Sequence, residues 1–101
     1  MDYVAFLTFR PSVSSADRDA GLARRAAWQY PAGITPIAEY WPLAASVQVV
    51  SIFSADDFAA AFELSLQWND IFDIAIYPAV SAPEGLRIGQ EVFARLPRLQ
   101  P

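Results

Sequence analysis

The chain has no histidine, no cysteine and no lysine. Those side chains supply most general bases tuned near neutrality, most thiolate nucleophiles, the amine of every Schiff base, and the nitrogen and sulfur ligands of zinc, copper and haem sites. Serine has neither histidine nor lysine to activate it, so Ser-based nucleophilic catalysis is excluded. A metal site would need carboxylates alone. The close pairs, Asp56 with Asp57 and Asp70 with Asp73, are better explained by helix capping and turns, so no metal is expected. Positive charge is scarce as well, with seven arginines against eleven acids and a net charge of −4. Nucleic acid and anionic membrane surfaces both need clustered positive charge, so neither is expected as a partner. No apolar run approaches the roughly 20 residues of a membrane helix. Met1-Asp2-Tyr3 carries no basic segment of a signal peptide, and the lack of cysteine fits a reducing compartment. The expectation is a cytoplasmic protein.

What the chain does contain is apolar. Its 101 residues are 54% hydrophobic with a mean hydropathy of +0.24. A chain of this length forms one domain, 1–101, and here it holds more apolar surface than a small monomer hides easily.

The order of elements follows from periodicity and punctuation. Tyr3 to Phe9 reads as a strand ended by Arg10-Pro11. Ser14 and Asp17 have capping-box spacing and open a helix to about Trp28, with its alanines, Ala16, Ala20, Ala23 and Ala27, expected against a sheet. Ile34 to Trp41 and Val47 to Phe53 read as the second and third strands. Ser54 and Asp57 again have capping-box spacing, and their helix runs to about Trp68, with Phe58, Phe62 and Leu66 as its core stripe and Ala61, Leu64 and Trp68 as a second one. Ile71 to about Tyr77 is the fourth strand. Ser81 and Pro83 start a third helix, about 83–96, which Pro97 stops. Gly85 and Gly89 fall inside it, where small-residue packing explains them and no phosphate loop is implied.

This β-α-β-β-α-β order with an added C-terminal helix is the α+β, ferredoxin-like arrangement, an antiparallel sheet with a core over about 3–80. Its strand order, 4-1-3-2, makes strands two and four the edges, and the two strand prolines, Pro36 and Pro78, fall in those strands. Strands one and three are apolar on both faces. A two-layer sandwich covers only one face of its sheet with helices, so a second copy is expected on the other, giving a homodimer through the sheet face.

Several stretches resemble a family of short prokaryotic proteins known only as a domain of unknown function. They are Thr8-Phe9-Arg10-Pro11, Tyr30-Pro31-Ala32-Gly33-Ile34, Glu39-Tyr40-Trp41, and Gln67 to Asp73 running into Pro78. That family is similar to the dimeric α+β barrels, a superfamily that also holds cofactor-free monooxygenases, chlorite-dismutase-like haem proteins and muconolactone isomerases. The resemblance spans roughly Tyr3 to Val80. It implies a dimeric α+β barrel, with ligand cavities lying between sheet and helices, but no agreed activity. Where members of the family often carry a histidine after the strand-two tryptophan, this chain has Pro42, so no role of that histidine carries over.

Two groups of residues are candidates for function. Glu39 lies in strand two between Ile37 and Trp41, where desolvation can raise a carboxyl pKa and make it a base near neutrality. Asp73 shares a strand face with Tyr77. Both acids could instead be exposed or paired with Arg10, Arg24 or Arg25. Trp28, Tyr40, Trp41 and Trp68 could line a pocket for a flat ligand, although core and interface roles also account for aromatics. The expected function is binding of a small apolar or aromatic molecule, without cofactor. The alternatives are a cofactor-independent monooxygenase or isomerase using Glu39, or Asp73 with Tyr77, and a purely structural or interaction module.

Overall fold

Four strands make one antiparallel sheet in which, by chain order, the second lies beside the third, the third beside the first and the first beside the fourth. In chain order the elements are β1 (Asp2–Phe9), α1 (Ser15–Ala27), β2 (Ile34–Tyr40), β3 (Val49–Ala55), α2 (Phe58–Trp68), β4 (Phe72–Ala79) and α3 (Ala82–Arg95). The computed structural model describes residues 1–97; the last four residues of the expected 1–101 domain lie outside the described ones. The architecture is α+β and ferredoxin-like, with β2 and β4 as the edges that Pro36 and Pro78 require.

The caps follow the local chemistry. The Ser14 hydroxyl accepts from the Asp17 N–H while the Asp17 carboxylate accepts from the Ser14 N–H, a complete capping box. Ser81 caps α3, with Pro83 in its first turn. At the start of α2 the expected capping box is only half present: Ser54 lies inside β3, while Asp57 caps the helix by accepting from the Ala60 N–H at 2.9 Å. Between α1 and β2 the chain reverses at Gly33, whose φ of 88° suits glycine. A Cβ there would come within 3.1 Å of the Ala60 Cβ.

Two helix faces are corrected by the structure. On α2 the residues packed on the sheet are Ala60, Ala61, Leu64 and Trp68, while Phe58, Phe62 and Leu66 are exposed. Ala60, Ala61 and Leu64 complete one buried cluster with Ala5, Phe53 and Ala55 of the sheet. On α1 no residue is buried, and the alanines point to solvent. Its inner side carries Gly21, Leu22, Arg25 and the cap residue Trp28, and Gly21 lies so close to Ile71 that an added Cβ would meet its Cδ1 at 2.9 Å.

Polar clamps hold α1. Arg24 grips both oxygens of Asp70 at 2.9 and 3.0 Å and lies 4.2 Å from the centre of the Trp68 ring. The Trp28 indole donates to Gln67 at 2.8 Å. A helix pinned at its end in this way, without a buried stripe, stands off the sheet and leaves space beneath.

Candidate functional site

That space is a cavity of about 320 Å³ between α1 and the helix-facing side of the sheet. Strand alternation builds its floor, because Ala5, Leu7 and Phe9 of β1 register with Ser51 and Val49 of β3 and with Ile74 and Phe72 of β4. Leu22 and Arg25 form the roof, and Trp28, Leu64 and Trp68 close one end. The tryptophans are packed rather than loose: the Trp28 ring meets Trp68 edge-on at 5.5 Å and lies 4.6 Å from Tyr30.

A β-bulge decides what enters the cavity from β2. Ile34 and Pro36 pair with Ala55 and Phe53, but beyond Pro36 the register shifts by one, so that Ala38 pairs with Ile52, Glu39 with Ser51 and Tyr40 with Val50. Pro36 cannot donate to the ladder, and an extra residue is accommodated beside it, at Ile37. A one-residue shift exchanges the two faces of a strand. Without the bulge Glu39 would pair with Val50 on the open face of the sheet. With it, Glu39 and Trp41 point into the cavity.

Glu39 is the centre of a fully paired cluster. Arg25 donates from Nε to Oε2 at 3.1 Å and from Nη2 to Oε1 at 3.0 Å. The Tyr30 hydroxyl donates to Oε1 at 2.8 Å and lies 2.9 Å from the Ser51 hydroxyl. The Trp41 indole donates to Oε2 at 2.8 Å. Burial alone would push the Glu39 carboxyl up, but the hydrogen bonds from Arg25, Trp41 and Tyr30 and the Arg25 charge outweigh it and hold the carboxyl below its ordinary value. This direction is opposite to the one expected from strand position, because the partners come from elements remote in sequence. Tyr30 moves the other way: burial and the Glu39 carboxylate keep its hydroxyl protonated to a higher pH than usual. Arg25 is strengthened as a cation by its bond to Glu39.

The expected site residues therefore divide. Glu39, Trp28, Trp41 and Trp68 line the same cavity. Asp73 lies on the open face of the sheet, paired with Arg10 at 3.3 Å. Tyr77 is on that face too, edge-on to Phe6, and Tyr40 is exposed beside Val50. Residues that sequence reading did not assign to the site are Tyr30 and Ser51, while Arg25 appeared there only as a candidate partner. The available cue was helical spacing, since Arg25 and Trp28 are three apart and share a face. Among the described residues, no three His, Cys, Asp or Glu side chains gather closely enough to hold a metal ion.

Sheet, helices and cleft define a small α+β protein of ferredoxin-like topology with an apolar cavity and an ion pair at its wall. A family model described as a domain of unknown function (DUF3303) matches residues 1–93, and the chain belongs to that family. No curated protein and no solved structure matches it.

Proposed function

We propose that this protein binds a small apolar or aromatic molecule in the cavity beneath α1, and that it does so as a homodimer whose sheets meet through their open faces. The cavity itself carries the reading: about 320 Å³ bounded mostly by aliphatic and aromatic side chains, within the lower part of the usual range for ligand sites. Its polar groups already satisfy one another, and among the described residues no buried side-chain nitrogen or oxygen lacks a partner. Such a wall asks little of a ligand in hydrogen bonds and favours an apolar one. In this reading Glu39 is a fixed anion that orients Arg25, Tyr30 and Trp41. A carboxyl held below its ordinary value is a poor match for a general base near neutrality, and Asp73 and Tyr77 lie on the far side of the sheet. Acid–base catalysis is accordingly the weaker alternative.

The dimer part rests on the open face. Val4, Phe6, Val50, Ile52 and Ala75 share it, and none is fully buried within one chain.

All three tryptophans of the chain line the cavity, so intrinsic fluorescence reports on its contents. Titration with 2-naphthol is expected to quench saturably, and Val49→Phe, which fills the cavity from its floor, is expected to abolish that saturation with the circular dichroism spectrum retained. A linear, unsaturable response in the unaltered protein, or equal binding by Val49→Phe, overturns the reading.

A further inference from the structure

α2 is apolar almost all round. One side faces the sheet, and the other carries Phe58, Phe62 and Leu66, exposed to 75%, 52% and 56%; only Glu63 and Gln67 interrupt the circle with strongly polar groups. A helix of that composition is normally covered on both sides. Phe58 and Phe62 lie 5.9 Å apart and form a continuous aromatic ridge.

α3 has the complementary defect. None of its residues is buried, and its apolar arc runs through Leu86, Phe93, Gly89, Gly85, Val92 and Ile88. The opposite side is polar and satisfied within the helix, where Arg87 pairs with both Glu84 and Glu91. The helix projects from the body. The radius of gyration is 17.3 Å and the longest extent 59 Å, against about 13 Å for the radius of a compact chain of 100 residues. Its departure is set locally: two residues separate it from β4, Ser81 caps it, and Gly85 lies against Val80. α3 thus leaves the end of an edge strand without covering its own α2.

We infer that α3 of one copy packs antiparallel on the exposed ridge of α2 in a second copy, so that the two chains exchange C-terminal helices. The match is chemical as well as geometric. Gly89 makes the apolar face of α3 shallow at its middle, and no atom lies within 4 Å of a Cβ added there, which leaves room for the Phe62 ring. Antiparallel packing sets Leu86 against Leu66 and runs the apolar arc of α3 along the whole ridge from Leu66 to Phe58. The exchange extends the proposed dimer with a contact that sheet pairing alone does not require.

Because the chain is free of cysteine, cross-linking tests this directly on the full-length protein. Ser65→Cys replaces a small residue beside the ridge, and Gly89→Cys enters open space. Copies of each variant, with different tags, are mixed and treated with a short bis-maleimide; the double variant is treated alone when dilute. A 65-to-89 link between differently tagged chains is expected. A link within one chain of the double variant overturns the exchange in favour of α3 folding back, and no 65-to-89 link of either kind overturns it outright. Light scattering on the same samples separates the two proposals. A dimer without the link removes the exchange and leaves the sheet-face pairing standing, whereas a monomer removes both.

Discussion

The guanidinium of Arg25, on α1, holds both carboxylate oxygens of Glu39, on β2, at 3.0 and 3.1 Å. This contact ties the roof of the cavity to its wall, and it joins a helix that has no buried residue to the sheet. Planar two-point pairing of this kind is stronger and more directional than a lysine contact.

The pair should therefore be worth more than an ordinary surface ion pair. Arg25→Ala and Glu39→Ala are each expected to destabilise the fold, and a double-mutant cycle to give a coupling of about 1–2 kcal/mol. Thermal melts of the four proteins check this, since a loss of 1 kcal/mol lowers the midpoint by roughly 4–8 °C in a domain of this size. Additive effects would show that the two residues stabilise independently.

Acid should loosen α1 before the rest. The carboxyls of Glu39, against the opposing push of burial, and of Asp70, chiefly through its bonds to Arg24, are held below their ordinary values in the folded state. A group with a depressed folded pKa contributes stability that is fully present above its unfolded pKa and lost as pH falls through the folded one. Amide exchange in α1 is expected to rise on acidification below the ordinary carboxylate range, ahead of exchange in β1 and β3. Glu39→Gln should flatten the part of this dependence that Glu39 supplies, and an unchanged profile would remove Glu39 from the account.

Deleting Ile37 should straighten β2 and leave the site in the cavity. The deletion removes the extra residue, so that Pro36 with Phe53, Ala38 with Ile52 and Glu39 with Ser51 pair in one unbroken register. Glu39 keeps its face of the sheet, and Arg25 and Tyr30 keep their shared partner. The expected signature is saturable naphthol quenching retained in a folded protein. Loss of that saturation with the circular dichroism spectrum unchanged would mean that Ile37 does more than shift the register.

The open face makes a prediction of its own. Phe6→Asp and Ile52→Asp place a charge on it without touching the cavity floor. Light scattering is expected to show a dimer for the unaltered protein and a monomer, or a sharply weakened dimer, for either variant. If the unaltered protein is monomeric at micromolar concentration, the pairing of sheets is wrong.

The sequence by itself determined the order of elements, the two edge strands and the chemistry the protein lacks. These are local or compositional facts. Proline without an N–H belongs at an edge whatever surrounds it, and Ser14, Ser81 and Asp57 cap through bonds that span three residues. An absent imidazole is absent in every fold. Only the tertiary structure decided which apolar stripe of α2 faces the sheet, that α1 hangs from polar clamps instead of its alanines, and that Glu39 is ionised inside a cluster. Both stripes of α2 are apolar, so periodicity alone could not choose between them; the cluster that Ala60, Ala61 and Leu64 form with Ala5, Phe53 and Ala55 did. The environment of Glu39 depends on a single bulge at Pro36 and on partners from α1, the turn before β2, and β3. Periodicity within one strand carries no record of either, because a register shift of one residue reverses its faces while leaving the sequence pattern unchanged.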